Sequence, residues 1–377
     1  METAPKKPVV LSIVPSPLLP PVDGGQKHTY GMLDALGKIT SLVCITDTKS
    51  EKAGHSFELL PKIEHRVRKY LSFGNFKYIV NKINKIKPVA VLLEKPFMGP
   101  IVYMASRKTG TPFFIHAHNI EYLRYRSLGK WWYPLLYLWE SFTYSKAKAI
   151  FFVSEEDRRL AIEKFKIPEQ KCHISAYGIP QTKVLERPTE SIIQTKALVG
   201  IKPEEKVIMF FGALKYLPNI EALEIIINEL LPRLQKKLDF SYKVLICGGG
   251  LSADYEKQLR GYSNKHLIYA GFVPDIDEYT GSADVVINPV LSAGGIRTRV
   301  VEALGFNKTV VSTITGAHGI DARLCGKKLK VVADNDWDSF TEKIAEALSE
   351  KESTPDSFFA QYSWQAIANE LKQVLQS

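Results

Sequence analysis

The residues best suited to chemistry lie in the segment VLSAGGIRTRVVEALG, in the C-terminal half of the chain. Gly294 and Gly295 follow a strand-like run and precede a helical one, so backbone N–H groups and the positive end of a helix dipole are available to a phosphate. Arg297 and Arg299 add planar guanidinium groups that match phosphate oxygens. Glu302 lies one turn beyond Arg299 on the same helix face, where its carboxylate can accept two ribose hydroxyls. The segment predicts a site for a nucleotide diphosphate; the alternative is an intrahelical Arg299–Glu302 ion pair.

Two further loops with glycine or lysine are candidates for anion binding. In GALKYLPNIEAL, Lys215 follows a strand and is a candidate phosphate ligand, whereas Asn219 is better explained as the cap of the next helix. In PPVDGGQKHTYGML, Gly24 and Gly25 precede a helix with a basic first turn. This loop is expected to hold a second anionic group or an acceptor; a flexible turn is the alternative. The run ICGGG lacks the G-x-G-x-x-G fingerprint, so no nicotinamide dinucleotide site is expected.

Two histidines mark another strand end, in HAHNIEY. His116 and His118 alternate along the chain and face the same side if the strand continues to His118. Parallel sheets bind ligands in the loops beyond the carboxyl ends of their strands. We therefore predict that His118 contacts a ligand and that Asn119 belongs to a loop for the donor or acceptor. A hydrogen-bonded core histidine is the alternative, above all for His116.

Strands must position these loops, and short aliphatic or β-branched runs recur along the chain. Longer segments with helical periodicity separate most of them. The alternation predicts two α/β units, each with a parallel sheet covered on both faces. Glycine, proline and polar residues interrupt the pattern at 177–195, where the two units are expected to join. The runs are VVLSIV, LVCIT, VAVLLE, PFFIHAH and AIFFVS, then KVIMFFGA, YKVLICGGG, LIYAGF, DVVINPV, TVVSTIT and LKVVAD.

Composition excludes several classes of protein. The chain has 377 residues, 45% hydrophobic and 24% charged, which is enough for two folded domains. Its four cysteines lie far apart, which argues against a zinc site or disulfide framework and favours a reducing cytoplasm. No run approaches the ~20 apolar residues of a membrane span, and prolines interrupt the N-terminal apolar segment. A cytoplasmic protein is expected.

The formal net charge of +10 points to an anionic partner or to a solvated positive face. Much of the charge lies at 62–88, in basic helical faces with aromatic residues between them. An anionic membrane surface at the inner face of the cytoplasmic membrane is one candidate partner. Nucleic acid is not expected, because no helix-turn-helix, zinc-finger or ribonucleoprotein motif accompanies the charge. The aromatic stripe of GKWWYPLLYLWESF, 129–142, fits either a helix core or a membrane-facing surface.

The order of these pieces resembles the family-4 glycosyltransferases of the GT-B fold over nearly the whole chain. The similar segments are PVDGGQKH, AHNIE, AIFFVSEEDRRLAIEKF, FFGALKYLPNIEAL, GFVPDIDEYTGSADVVINP, GGIRTRVVEALGFNKTVVST and YSWQAIANEL. The resemblance implies an α/β fold with two Rossmann-like domains facing across a deep cleft. Residues 1–181 would form an acceptor-binding domain and 182–358 a nucleotide-sugar-binding domain. Residues 359–377 would form a helix that packs back on the first domain.

The resemblance also implies roles for individual residues. Glu302 matches the ribose-binding glutamate of the family, and His118 resembles the histidine that approaches the donor sugar; both are expected in the catalytic site. The backbone around Gly271, Phe272 and Val273 is expected near the nucleobase.

The chain departs from the family pattern at three positions. Gly294 stands where many members have a second glutamate, and Ala213 and Pro218 replace a common Arg and Lys pair. Lys215 and the two arginines before Glu302 are then expected to supply the positive charge for the donor diphosphate. A subset of the family linked to exopolysaccharide assembly looks similar in this stretch.

The implied activity is the transfer of a hexosyl or N-acetylhexosaminyl group, with retention of configuration. The donor would be a nucleotide diphosphate sugar, and the acceptor a hydroxyl of a glycan or lipid-linked molecule in cell-surface polysaccharide or glycoconjugate synthesis. No Asp-x-Asp pair lies at a strand exit, so no metal or other cofactor is expected, and cations with helix N–H groups would stabilise the leaving diphosphate. Two other functions would share the nucleotide site: a GT-B nucleotide-sugar epimerase, and a non-catalytic nucleotide-sugar-binding subunit, which Gly294 would suit.

Overall fold

The chain forms two compact units. One unit contains the residues up to Pro180 together with Gln361–Ser377, and the other contains Gln181–Ala360. A computed structural model describes residues 7–21, 24–51, 55–64, 66–262, 265–292 and 296–377.

The first unit is built on a seven-stranded sheet with parallel pairing. Its strands are β1 Val9–Val14, β2 Ser41–Asp47, β3 Glu58–Ile63, β4 Ala90–Glu94, β5 Phe113–Ala117, β6 Ile150–Phe152 and β7 Cys172–Ile174. Its helices include α1 Gly24–Ile39, α2 Phe73–Ile86, α3 Gly99–Thr109, α4 Glu121–Ser127, α5 Tyr133–Lys146 and α6 Glu155–Phe165. The strand order is β3-β2-β1-β4-β5-β6-β7, so the direction of winding reverses between β1 and β4. Loops that leave neighbouring strands at such a point diverge and leave room for a ligand.

The second unit repeats this plan with a six-stranded parallel sheet. Its strands are β8 Lys206–Phe211, β9 Tyr242–Cys247, β10 Leu267–Gly271, β11 Val285–Asn288, β12 Thr309–Thr313 and β13 Leu329–Val332. Its helices include α7 Thr189–Leu198, α8 Leu217–Ile225, α9 Leu231–Lys237, α10 Ala253–Arg260, α11 Ile276–Ser282, α12 Thr298–Gly305 and α13 Trp337–Leu348. Helix α14 Asp356–Tyr362 begins in the second unit, and its last two residues belong to the first. The order β10-β9-β8-β11-β12-β13 reverses between β8 and β11. The loops after these two strands therefore lie at the expected position for a ligand.

The predicted α/β fold with two parallel sheets is confirmed. Central strands such as β1, β4 and β8 are mostly apolar and buried along nearly their whole length, as expected for sheets covered on both faces. The sequence pattern does not predict β3 or β7. β3 has the sequence ELLPKI, with a proline and two charged residues, and β7 has only three residues. Both lie at sheet edges, where burial does not impose an apolar pattern.

The last helix, α15 Trp364–Gln376, packs on α1 within the first unit. The Ser363 hydroxyl caps it by accepting the N–H of Ala366 at 3.2 Å. A Cβ at Gly31 would lie 2.5 Å from the Trp364 ring, so the absence of a side chain at Gly31 gives the indole its place. Trp364 in turn packs edge-on against the ring of His28, with the centroids 5.5 Å apart. The C-terminal helix thus supports a residue of the candidate site described below.

Candidate functional site

The loops that leave β8, β9 and β10 meet at one edge of the second sheet. The N–H of Gly248 donates to the carbonyl of Gly271 at 2.7 Å, and the N–H of Gly212 donates to the carbonyl of Cys247 at 3.0 Å. A Cβ at Gly248 would lie 1.9 Å from the carbonyl oxygen of Gly212, so only glycine permits this approach. The glycine run that does not fit a dinucleotide fingerprint therefore holds neighbouring strand-exit loops together.

Arg299 projects from the first turn of α12 to the exit of β8. Its Nη2 donates to Oδ1 of Asn219 at 2.5 Å, and its guanidinium lies 4.6 Å from the centroid of the Phe210 ring. Its Nη1 is buried and has no hydrogen-bond partner among the residues that the structure describes. Burial and the neighbouring charge of Arg297 lower the pKa of Arg299 to about 9, while the Glu302 carboxylate opposes the shift. A charged guanidinium with a buried donor to spare is arranged to receive an anion.

Asn219 is not the cap of α8, contrary to the prediction. The helix begins at Leu217, with Tyr216 at the cap position and Pro218 in the first turn, where proline is favoured because its missing N–H is not needed. Asn219 is therefore inside the helix and buried. Its Nδ2 donates to the carbonyl of Ala213 at 2.9 Å while its Oδ1 accepts from Arg299. Asn219 orients the arginine rather than starting the helix.

The other predicted residues of the second unit lie on the same loops or on α12. Lys215 is exposed, and its Cβ is 3.0 Å from the position that a Cβ of Gly250 would take. Phe272 is exposed and its Cβ lies 3.2 Å from the equivalent position at Gly249. Gly271 has a φ of +73°, in the left-handed region that favours glycine, and Val273 is buried.

Glu302 and Arg297 flank Arg299 along the chain. Glu302 is half-buried in α12, close enough to affect the pKa of Arg299. Arg297 stands at the cap position of α12, where burial lowers its pKa and Tyr216 opposes the shift. Gly294 and Gly295, predicted to bind the diphosphate, lie outside the described residues.

A second cluster of polar side chains lies at the exits of β4 and β5 in the first unit. Glu94 and His116 are paired in register, and Oε2 of Glu94 lies 2.9 Å from Nδ1 of His116 and 2.8 Å from Nε2 of His118. His28 of α1 places its Nε2 3.2 Å from Nε2 of His116. His118 thus meets the same carboxylate as His116, although β5 ends at Ala117. All four side chains are buried.

The ionisation of this cluster follows from its burial. Burial opposes the charged form of Glu94, but the adjacent His116 and His118 outweigh it and lower the pKa of Glu94 to about 2. Burial lowers the pKa of His118 to about 4, although Glu94 acts in the opposite direction. Burial and the other two histidines also lower the pKa of His28 well below its ordinary value. At neutral pH the cluster therefore contains an ionised carboxylate beside a neutral His118.

One group among the described residues could hold a metal ion. It consists of Glu94, His116 and His118, whose possible ligand atoms lie within 4.8 Å of one another. A tetrahedral zinc site would hold its ligand atoms about 3.4 Å apart, given metal–ligand distances of about 2.1 Å. The 2.8 and 2.9 Å contacts of Glu94 are the lengths of hydrogen bonds. Hydrogen bonding therefore accounts for this arrangement.

Sequence reasoning missed Glu94 and the part played by His28. The available signal was the single charged residue that ends the apolar run VAVLLE, because a carboxylate is rarely buried in a strand without partners. Its partners could not be identified from the sequence, because the pairing of β4 with β5 brings them together.

An open pocket of about 230 Å³ lies where the first sheet reverses direction. It is lined by Val14, Ser16, Pro17, Leu18, Gly25, Gln26, Thr29 and Lys95. Thr29 links it to the histidine cluster, because its Oγ1 lies 3.4 Å from Nε2 of His118. Gly24 and Gly25 are the first residues of α1 and do not precede it, contrary to the prediction. Gly25 lines the pocket, Gly24 is exposed, and Asn119 is half-buried after His118. Lys95, the one cation among the described lining residues, has a φ of +63° that a non-glycine residue rarely adopts.

Comparisons with known proteins agree with this architecture. Residues 22–182 match a family model described as Glycosyltransferase Family 4, and residues 205–350 match one described as Glycosyl transferases group 1. An uncharacterized glycosyltransferase of Methanocaldococcus jannaschii is 30% identical over 181 residues. That alignment covers 46% of this chain and 44% of the relative, less than half of its length.

Solved structures similar to this chain cover nearly all of it. A glycosyltransferase from Rickettsia africae has a TM-score of 0.71 at 14% identity, with 98% of each chain covered. HepE of Anabaena, solved in complex with UDP, has a TM-score of 0.64 at 13% identity, with 97% of each chain covered. The match at 22–182 lies almost wholly in the first unit, and the match at 205–350 lies in the second. The predicted fold and family are therefore confirmed: the chain belongs to the family-4-like glycosyltransferases and has the GT-B fold.

Proposed function

We propose that the protein transfers a sugar from a nucleotide diphosphate sugar to a hydroxyl of a glycan or lipid-linked acceptor, with retention of configuration and no metal cofactor. Arg299 carries the proposal. It is a buried cation at the point where the second sheet reverses direction, and its Nη1 has no hydrogen-bond partner among the described residues. The UDP complex of the Anabaena relative supports a nucleotide-sugar donor. Retention and a role in cell-surface polysaccharide or glycoconjugate synthesis rest on the family resemblance.

The chemistry requires charge to be stabilised as the bond between the anomeric carbon and the diphosphate oxygen breaks. Arg299, with Arg297 and Lys215 on the adjacent segments, would stabilise the negative charge that develops on the leaving diphosphate. The acceptor oxygen forms the new bond to the anomeric carbon. Its proton passes to an oxygen of the departing phosphate, so the donor supplies its own base.

A screen of UDP, GDP, ADP, CMP and dTDP by thermal unfolding tests the nucleotide site. A ligand that binds only the folded protein at 100 times its Kd stabilises it by about 2.7 kcal/mol, so one base is expected to raise the unfolding midpoint clearly above the others. No shift with any of the five would contradict a nucleotide site.

Turnover of the matching nucleotide sugar is expected to continue in EDTA. The measurement is release of the nucleotide diphosphate, with NMR of the product to give the anomeric configuration. Loss of turnover in EDTA that Mg²⁺ or Mn²⁺ restores would contradict the metal-independent mechanism. Release of an epimerised sugar without an acceptor would indicate an epimerase. Binding without hydrolysis or transfer of any donor would indicate a binding subunit.

A surface of the first unit supports a lipid-linked acceptor. One face of α5 and its preceding turn carries four apolar side chains, from Trp131, Leu135, Leu138 and Phe142. The first three of these are 83%, 63% and 62% exposed. We call these four residues the α5 stripe. The other aromatic residues of the segment pack against the core, namely Trp132, Tyr133, Tyr137 and Trp139. The segment therefore contributes both to the core and to an exposed apolar surface.

Cations accompany the α5 stripe. Lys130 is exposed beside Trp131, and Lys146 lies 6.0 Å from the centroid of the Phe142 ring. Helix α3 packs against α2 and α5, and its exposed Met104 is a further apolar side chain on the surface of this unit. None of the described helices has the length and apolar character needed to cross a bilayer. The combination of apolar and basic side chains fits an anionic membrane surface at which a lipid-linked acceptor would be met.

Replacing both Trp131 and Leu135 by glutamate is expected to lower binding to vesicles that contain phosphatidylserine by at least about 10-fold, since buried apolar area and basic charge both contribute. Flotation with and without phosphatidylserine, at low and high salt, measures it. The matched control is Leu198→Glu, which changes a 75% exposed leucine in the second unit. Equal flotation of the double variant and the wild type would contradict the membrane surface.

A further inference from the structure

The buried carboxylate at the end of β4 determines which nitrogen of His118 carries hydrogen. His118 is neutral, because burial lowers its pKa to about 4, so one ring nitrogen has a hydrogen and the other a lone pair. Its Nε2 lies 2.8 Å from Oε2 of Glu94, which as an ionised carboxylate oxygen can only accept. The hydrogen is therefore on Nε2.

Thr29 supports the same assignment independently. Its hydroxyl donates to the carbonyl of Gly25 at 3.1 Å. Toward Nε2 of His118, at 3.4 Å, the Thr29 oxygen can then only accept, which again requires a hydrogen on Nε2. Nδ1 of His118 is left as the acceptor atom of the ring.

Hydrogen bonds fix the position of the hydrogen, and packing against neighbouring rings fixes the orientation of the His118 ring. The ring of His118 lies 4.8 Å from that of His116 and 5.2 Å from that of His28, measured between centroids. His116 is in turn held between Glu94 and His28. Glu94 is thus hydrogen-bonded to both His116 and His118 in a buried cluster that Thr29 links to the pocket of the first unit.

We propose that Glu94 is a positioning residue for glycosyl transfer: it holds His118 with hydrogen on Nε2, so that Nδ1 accepts a hydrogen bond from a hydroxyl of the bound sugar. The catalytic consequence rests on the function proposed above, whereas the tautomer of His118 does not. A neutral acceptor at this point orients a sugar hydroxyl without adding a charge next to a cationic transition state.

The ¹⁵N chemical shifts of the histidine ring nitrogens test the tautomer without any ligand. In protein labelled at its eight histidines, the His118 signal is assigned as the one missing from a His118→Asn variant. The wild type is expected to show the Nε2–H form at neutral pH. The Nδ1–H form, a charged ring, or a stoichiometric bound metal in elemental analysis would overturn the proposal.

Two substitutions separate positioning from general stability. Glu94→Leu removes the acceptor, so the His118 ring is expected to lose its preference for the Nε2–H form. We expect kcat for the nucleotide sugar that the wild type turns over to fall by about 10²-fold, with KM little changed. Glu94→Gln keeps an oxygen that can accept the same N–H, so it is expected to retain the Nε2–H form and most of the kcat. Equal kcat in Glu94→Leu and the wild type would overturn the proposal, as would a His118 tautomer that is the same in both.

The matched control is Glu140→Leu, which removes another buried carboxylate of the first unit. Glu140 accepts the backbone N–H groups of Glu121 and Tyr122 at 2.8 and 2.7 Å, and burial raises its pKa to about 8. Its loss is expected to lower stability and to leave the His118 signal unchanged. A wild type that does not turn over any nucleotide sugar would contradict the proposed function but not the assignment of hydrogen to Nε2 of His118. The two proposals can therefore fail separately.

Discussion

Arg299→Ala is expected to weaken binding of the preferred nucleotide diphosphate by about 10²-fold, because hydrogen bonds to charged groups each contribute about 1.5–3 kcal/mol. The side chain is buried, stacks on Phe210 and has Nη1 available for an anion oxygen. Isothermal titration calorimetry with the nucleotide selected by the thermal screen measures the change in Kd. Arg299→Lys keeps the charge but loses the planar fork, so it is expected to recover only part of the affinity.

The control for Arg299 is Arg323→Ala in the same unit. Arg323 is 89% exposed and pairs with Asp321 two residues before it in the chain, so its loss is expected to leave Kd unchanged. Thermal unfolding of each variant without ligand separates a loss of binding from a loss of fold. A Kd in Arg299→Ala equal to that of the wild type would remove this arginine from the site.

Glu302→Ala is expected to abolish most of the preference for ribose over deoxyribose. If the carboxylate accepts ribose hydroxyls, the wild type should bind the ribonucleotide about 10-fold or more tightly than its 2′-deoxy form, and the variant should bind the two nearly equally. Comparing the four dissociation constants isolates the contact between Glu302 and the sugar, because any general damage to the site affects both ligands.

Glu342→Ala is the matched acidic control in the second unit. Glu342 is 63% exposed and lies 3.5 Å from Lys237, so its loss is expected to leave both dissociation constants unchanged. A Glu302→Ala variant that keeps the full preference for ribose would show that another group reads the sugar.

Local sequence pattern predicts every strand except β3 and β7, and it predicts the segment of Arg299 and Glu302, because the alternation of apolar runs and helix spacing are short-range properties. It does not predict the partner of Arg299, since Asn219 lies 80 residues away and meets it only because β8 and β11 are neighbours. The Glu94 cluster is hidden for the same reason, with Glu94 and His118 24 residues apart. Strand order is a property of the whole sheet, so the partners Asn219 and Glu94 follow from the fold and not from the local sequence.

The contact of Gly248 with Gly212 constrains how donor preference can be redesigned. Backbone rather than side chains forms this part of the second unit, so random libraries there would yield mostly misfolded proteins. Under the proposed function, diversity belongs instead at Phe272, whose exposed side chain borders the glycine loop, whereas Lys215 is kept for the diphosphate. If Phe272 lies near the nucleobase, as the family resemblance implies, changing it while the glycines are kept is expected to alter which base the protein prefers.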